Sequence, residues 1–269
     1  MTSTSPLARI MSVPGIPMTV VLILTVVVFQ VLNPVFLDGG TLSNYLTNGI
    51  PIMLLTLGVA IVIIGGGIDL SVGTVAGLSA GTTMFALVNG APLPVGIAVG
   101  CATGLLFGLV NGFLVAYLRI NDFIVTLATL NIAAGLLVVL SQVQPLQGVT
   151  VPGFAELTKG TVFGIPASFF IAGAIFVIAQ LLLAKTVIGR RLYATGISAS
   201  ASNVAGLSVP SLRLFTFAAS GLLAGIAGVL IASRLGAVQA FLGIGYEFIA
   251  IAGAVVGGIA LAGGAGSAW

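Results

Sequence analysis

The fold of this chain is decided by the stretch Ile63-Ile64-Gly65-Gly66-Gly67-Ile68-Asp69-Leu70-Ser71-Val72-Gly73. An apolar run ends at Ile64, three glycines follow, and a run of small residues begins at Ser71. Glycine costs about 1 kcal/mol per residue inside a helix, and a carboxylate in a bilayer costs about 3 kcal/mol. Interrupted backbone is tolerated at membrane depth only where protein or a water-filled cavity satisfies it, as in transport pathways. The stretch therefore predicts a broken membrane helix, with Asp69 either capping the next helix or lining a pathway.

The composition around this stretch is that of a membrane protein. Of the 269 residues, 59% are hydrophobic and 5% are charged, and the mean hydropathy is +1.29. This leaves too little polar surface to cover a water-soluble globule. Long unbroken apolar runs, rather than alternating segments of about ten residues, argue against a transmembrane barrel. We therefore predict an all-α, polytopic membrane protein whose residues 1–269 form a single transmembrane domain.

A membrane helix needs about 20 apolar residues, so the chain has room for about eight spans. We predict them near residues 16–32, 43–64, 70–88, 93–118, 123–140, 165–184, 214–231 and 246–261. No small-residue cleavage pattern follows the first span, which we therefore interpret as uncleaved.

The basic residues predict the orientation of these spans. Cytoplasmic loops of membrane proteins carry an excess of Lys and Arg. With a cytoplasmic N-terminus, six basic residues fall inside and two fall outside. The inner residues are Arg9, Arg119, Lys185, Arg190, Arg191 and Arg213, and the outer residues are Lys159 and Arg234. The opposite orientation would reverse this ratio, so we predict a cytoplasmic N-terminus.

Two connections between the spans are long. The external loop, residues 141–164, is rich in Gln and Pro and is predicted to be irregular. The inner loop, residues 185–213, carries four cations around the segment 198–206. In that segment Ser198 is a suitable N-cap, the alanines favour helix, and Gly206 is a suitable end. We therefore predict a short cytoplasmic helix there.

Several kinds of chemistry are not expected, because the sequence lacks the residue types that they need. The chain has no histidine, one cysteine (Cys101) and no P-loop sequence. Imidazole metal sites, a nucleophile paired with a base, and an ATP site within this chain are therefore not predicted. The cations are spread among loops, which does not favour nucleic-acid binding. We predict a protein that is not an enzyme and that holds no metal or cofactor of its own.

Two sets of residues within the spans remain to be explained. Glycines 96, 100, 104, 108 and 112 recur every fourth residue, which predicts close helix packing, within one subunit rather than at a dimer interface. The polar candidates for a translocation pathway are Asp69, Asn111, Asn131 and Glu247, with Gln180 and Asp122 as further polar positions. Amide side chains both donate and accept, which suits a hydroxyl-rich solute. For each residue alone, helix-to-helix contact is the competing interpretation, and Glu247 also suits a helix N-terminus.

Several blocks together resemble the permease subunit of ribose-type sugar importers of the ATP-binding cassette class. The autoinducer-2 and branched-chain amino acid permeases are in the same superfamily. The blocks are Gly65 to Gly73, Asn111-Gly112-Phe113-Leu114-Val115-Ala116, Phe123 to Leu130, Ser220 to Gly228, Ser233-Arg234-Leu235-Gly236, Gly245-Tyr246-Glu247, Val256-Gly257-Gly258 and Leu261 to Ser267. The resemblance extends over most of the chain.

The resemblance implies a bacterial inner-membrane importer with two permease subunits, which are identical or different, and two ATPase subunits that bind ATP. A periplasmic solute-binding protein delivers the solute. The helix at 198–206 is then the coupling helix that docks on the ATPase, through Ser200, Ala201, Ser202, Asn203 and Gly206.

The chain departs from the family pattern in four places. Ser200-Ala201-Ser202 stands where an acidic residue followed by two alanines is usual. Asp122 stands where proline is common, and Ala134 where arginine is common. Family members continue for about two more helices after the Gly-Gly-x-Gly-Ser segment, whereas this sequence stops at Trp269, as a truncated product or an incomplete gene prediction would.

Three other functions remain open from the residues. An ion-coupled secondary carrier would use Asp69 beside the broken helix. A permease of the same superfamily would carry autoinducer-2, nucleosides or branched-chain amino acids. A membrane scaffold would bind partners without moving a solute.

Overall fold

The structure is a computed structural model that describes residues 16–149 and 151–266. Arg9 and Trp269 therefore lie outside the described residues. The helices are α1 (Ile16–Leu32), α2 (Gly39–Ile64), α3 (Val72–Val88), α4 (Leu93–Ala116), α5 (Asp122–Ser141), α6 (Glu156–Lys159), α7 (Ala167–Lys185), α8 (Val187–Ile197), α9 (Ala199–Val204), α10 (Val209–Leu235) and α11 (Tyr246–Val256).

The chain is mostly helical, as predicted, but among the described residues four two-residue strands accompany the helices. β1 (Leu146–Gln147) pairs antiparallel with β4 (Ala237–Val238), and β2 (Thr161–Val162) pairs with β3 (Ile165–Pro166). The predicted irregular loop at 141–164 thus contains β1, α6 and the start of a hairpin. The pairing of β1 with β4 joins residues about 90 positions apart in the chain. Local sequence does not specify such a pairing.

Each of the eight predicted spans contains a helix, but eight complete crossings are not confirmed. Among the described residues, five helices are long and apolar enough to cross a membrane, namely α2, α4, α5, α7 and α10. The helices α1 and α3 have 17 residues each, and α11 has 11. The last helix ends at Val256 rather than near 261, because Gly257 and Gly258 follow and Gly258 has a φ of 94°.

The helix α10 lies at the centre of the molecule, against α2, α3 and α4. It meets α4 through backbone rather than side chains. A Cβ atom on Gly104 would lie 2.5 Å from the amide nitrogen of Gly225 and 2.6 Å from its Cα, and would overlap the carbonyl oxygen of Gly221. Such contact supplies dispersion energy in lipid, where no hydrophobic drive joins helices. The prediction that the glycine repeat packs within the subunit is confirmed.

Two short helices occupy the inner loop. The predicted helix is present as α9, where the Ser198 hydroxyl accepts a hydrogen bond from the Ala201 amide at 3.2 Å and Gly206 follows with a φ of 80°. The preceding helix, α8, was not predicted. Its N-cap is Thr186, whose hydroxyl accepts from the Gly189 amide at 3.2 Å.

Candidate functional site

The break between α2 and α3 carries the chain back into the protein interior. The backbone leaves α2 at Gly65, and Gly66 takes a φ of 80°. Both Gly58 of α2 and Asp69 contact Ser220 of α10, the latter by a hydrogen bond of 2.8 Å. Asp69 therefore lies at the level of Gly58, which is six residues before the end of α2. At about 1.5 Å per residue, the segment from Gly65 to Asp69 runs back about 9 Å alongside that helix. Asp69 is therefore buried beside α10, with 2% of its surface exposed.

Asp69 and four other buried polar side chains form one hydrogen-bonded network. The Asp69 carboxylate accepts from the Ser71 amide at 3.0 Å, from the Ser71 hydroxyl at 2.7 Å and from the Ser220 hydroxyl at 2.8 Å. The Asn111 amide group donates to the Ser71 hydroxyl at 2.9 Å and accepts from the Thr129 hydroxyl at 2.6 Å. The network therefore joins the start of α3 to α4, α5 and α10.

The role of Asp69 as a helix cap is only partly as predicted. The N-cap of α3 is Ser71, and it makes no side-chain capping bond. The Asp69 carboxylate instead accepts a hydrogen bond from the amide of that N-cap residue. This bond orders the turn ahead of the helix. Its three donors come from protein, which compensates much of the cost of burying a carboxylate.

A second interruption lies beside the first. Between α10 and α11, Gly243 and Gly245 take φ values of 92° and 88°. The Glu247 carboxylate accepts from the Gly245 amide at 3.1 and 3.2 Å, and the residue is 3% exposed. A Cβ atom on Gly73 would lie 2.7 Å from a carboxylate oxygen of Glu247. Because Gly73 lies one turn beyond Asp69, the N-termini of α3 and α11 approach each other inside the protein, each with a buried carboxylate.

The structure brings Asn111 into this region but leaves Asn131 outside it. The Asn131 side chain lies on an exposed face of α5 and donates to the Leu127 carbonyl of its own helix at 2.8 Å. Sequence reasoning gave the two asparagines the same role, because both stand in apolar spans. Only the packing of α4 against α3 and α5 distinguishes them.

We expect this difference to appear in a matched pair of alanine variants. Asn111→Ala removes the donor to the Ser71 hydroxyl and the acceptor of the Thr129 hydroxyl, and should cost about 1 to 2 kcal/mol. Asn131→Ala removes only a bond within its own helix and should cost about 0.5 kcal/mol or less. The measurement is the melting temperature of each variant in mild detergent. Equal shifts would contradict the assignment of Asn111 to the network.

A second pair of variants tests the charge of Asp69. In Asp69→Asn the amide oxygen can accept from Ser71 while the amide nitrogen donates to the Ser220 hydroxyl, so we expect nearly normal stability. In Asp69→Leu two hydroxyls and one amide lose their acceptor, and we expect a loss of about 3 kcal/mol. Thermal unfolding compares the two. A variant Asp69→Asn that is stable but inactive in transport would indicate a pathway role rather than a structural one.

Three members of the network were missed by sequence reasoning, namely Ser71, Thr129 and Ser220. The available signal was a hydroxyl group among small residues in an apolar span. That signal also fits a hydroxyl bonded to its own helix, as in Thr103, whose side chain donates to the Val99 carbonyl at 2.9 Å. Which of these two hydrogen bonds forms depends on the neighbouring helix that packs against the hydroxyl group.

A polar cleft of about 530 Å³ lies where α9 meets the C-terminal end of α4 and the N-terminal ends of α5 and α10. Its charged lining residues are Arg119, Asp122 and Arg213, and α9 contributes Ala199 and Asn203. The cleft is connected to the first interruption, because Gly66 also lines it. A carboxylate oxygen of Asp122 accepts from the Ile68 amide at 2.7 Å, so the start of α5 holds the stretch that leads to Asp69.

The sequence that forms this arrangement matches a known family of membrane proteins. The family model described as branched-chain amino acid transport system / permease component matches residues 41–268. The chain belongs to this permease family. It is a multi-pass membrane protein, in agreement with the five long apolar helices among its described residues.

Several curated relatives of this permease are named as sugar permeases. The ribose import permease of Haemophilus influenzae is 33% identical over 92% of this chain and 77% of its own length. The galactofuranose transporter permease of Escherichia coli is 33% identical over 97% of this chain and 79% of its own length. The L-arabinose transport permease of the same species is 36% identical over 79% of this chain and 65% of its own. No solved structure matches this permease.

Proposed function

We propose that this permease is the membrane subunit of an ATP-binding cassette importer that moves a sugar or related small polar solute across the bacterial inner membrane. The observation that carries this proposal is its similarity to the ribose import permease over 92% of its length. A separate ATPase binds and hydrolyses the ATP, a periplasmic binding protein delivers the solute, and a second permease subunit completes the transporter.

The proposed topology has eight helices in the membrane and a cytoplasmic N-terminus. It is supported by the grouping of the basic residues into two clefts. Arg119 and Arg213, predicted to lie inside, line the cleft beside α9. Lys159 and Arg234, predicted to lie outside, line a separate polar cleft at the other end of α10. The three shorter helices would then be partial or tilted spans, of which α3 and α11 begin inside the protein.

The helix α9 is proposed to dock on the ATPase. Of the predicted contact residues, Ser200, Ala201, Asn203 and Gly206 are exposed, whereas Ser202 is buried. The neighbouring apolar side chains Ile197 and Val204 are 75% and 91% exposed. An uncovered apolar surface at the end of a membrane protein is expected to be covered by a partner. Docking would then depend on shape and apolar contact, since the short helix carries no acidic residue.

The solute pathway is proposed to pass the facing N-termini of α3 and α11, near Asp69, Asn111 and Glu247. Paired helix N-termini and interrupted backbone near the membrane midplane are typical of solute sites in transporters. Asn131, on the exposed face of α5, would contribute only if that face bordered the pathway. An ion-coupled carrier is less favoured, because protein donors already occupy both carboxylate oxygens of Asp69.

The first experiment is mass spectrometry of the proteins that co-purify with a tagged copy of the chain from its native membrane in mild detergent. We expect an ATPase in stoichiometric amount. A well-inserted chain that yields no ATPase would count against the importer. In that case uptake should be measured while the proton or sodium gradient is dissipated at constant ATP, because a secondary carrier would stop and an importer would not.

A further inference from the structure

Three glycine-containing segments that are distant in sequence meet backbone to backbone on the side of the molecule where α9 lies. They are Gly66 in the broken stretch, Gly196 near the end of α8, and Gly264 in the segment after α11. A Cβ atom on Gly196 would lie 2.5 Å from the amide nitrogen of Gly264 and 2.9 Å from its Cα, and would overlap the carbonyl oxygen of Ile64. A Cβ atom on Gly66 would lie 3.3 Å from the Cα of Gly196. We call these three residues the glycine junction.

Hydrogen bonds tie the junction together. The Gly264 amide donates to the Ile64 carbonyl at 3.1 Å, which joins the segment after α11 to the end of α2. The Tyr193 hydroxyl donates to the Gly266 carbonyl at 2.7 Å, which joins that segment to α8. Burial raises the pKa of Tyr193 above its ordinary value, so this hydroxyl remains a donor at neutral pH. The junction is therefore specific contact rather than loose apposition.

The junction lies between α9 and the buried network. Gly196 is two residues before Ser198, the N-cap of α9. Gly66 is three residues before Asp69, and the Ile68 amide between them is held by Asp122. A displacement of α9 thus reaches the start of α3 through main-chain contacts, in which no long side chain can absorb it by changing rotamer.

We propose that the glycine junction transmits movement of α9 to the stretch Gly65–Leu70, and so positions Asp69 and the N-terminus of α3. This inference rests on the proposed function, since the movement of α9 is attributed to a docked ATPase. It assigns a positioning role to Gly196, which neither contacts a solute nor lies on α9.

The test is hydrogen–deuterium exchange on the complex of the chain with its co-purified ATPase, with and without ATP and vanadate. In the unmodified complex we expect ATP to change amide exchange both in 196–206 and in 65–72. In Gly196→Ala the added methyl group separates Ile64 from Gly264, and the change should persist in 196–206 but fall at least fivefold in 65–72. Uptake of D-ribose per ATP hydrolysed, used as the transport probe, should fall by a similar factor.

The matched control is Gly173→Ala in α7, because a Cβ atom at that position has no neighbour within 4 Å. It should leave both exchange changes intact. Tyr193→Phe removes one hydrogen bond without adding bulk and provides a second variant if Gly196→Ala does not assemble. It should weaken the response in 65–72 about twofold.

The outcomes distinguish a failure of this inference from a failure of the proposed function. If Gly196→Ala or Tyr193→Phe binds ATPase and gives the unmodified response in 65–72, the junction does not transmit movement and the inference is wrong. If ATP changes exchange in 196–206 but not in 65–72 of the unmodified complex, the inference is also wrong. If the unmodified chain binds no ATPase, the proposed function itself fails.

Discussion

Gly104→Val should prevent stable folding of this permease. The position lies halfway along the contact between α4 and α10, where the two backbones touch. A valine side chain would overlap the Gly221 carbonyl and the Gly225 backbone, so the helices would have to separate along much of their length. Overpacking of a tight interior costs about 3 kcal/mol, a large share of the stability of a membrane domain. The measurement is the fraction of monodisperse protein recovered in mild detergent, together with its melting temperature.

The control for this prediction is Gly135→Val on α5. That glycine lies on an exposed face, and a Cβ atom there would meet no atom within 4 Å. Both substitutions add the same β-branched side chain to the interior of an apolar helix, so the intrinsic helix propensity changes equally. Gly135→Val should therefore be recovered normally. Equal losses in the two variants would mean that glycine is needed for insertion and not for the α4–α10 contact.

Gly206→Arg should abolish transport while leaving the membrane domain folded. The residue follows α9, is exposed, and a Cβ atom there would meet nothing within the chain. A long cation at this position therefore disturbs the surface proposed to dock on the ATPase rather than the interior. The experiment measures the amount of co-purified ATPase and ATP-driven uptake of D-ribose. Normal uptake by a normally inserted variant would reject the placement of the coupling helix.

Two further variants at this position separate backbone strain from bulk. Gly206 has a φ of 80°, where residues other than glycine are disfavoured by about 1 to 2 kcal/mol and asparagine by less. Gly206→Asn should keep most of the transport activity, and Gly206→Ala should lose part of it through strain alone. If alanine were as damaging as arginine, the turn after α9 would be the important feature and not its docking surface.

The relation between sequence and structure differs between the long helices and the site. Hydropathy runs predicted the positions of α2, α4, α5, α7 and α10, because the length of a membrane helix is set by bilayer thickness. The predicted end of α11 was wrong by about five residues, because apolar residues continue after the glycines that end the helix. The strands β1 and β4 were missed, because four residues without alternation give no strand signal.

The amino-acid sequence by itself determined the class of protein, the positions of the long helices, the broken stretch at Gly65–Leu70 and the small helix α9. These follow from local properties, namely hydropathy, glycine content and capping residues. The tertiary structure alone decided that Asp69 meets Ser220, 151 residues away, and that Asn111 is buried while Asn131 is exposed. The physical reason is that a polar side chain in an apolar span satisfies its hydrogen bonds either within its own helix or across to another. Which of the two occurs depends on which helix packs against it.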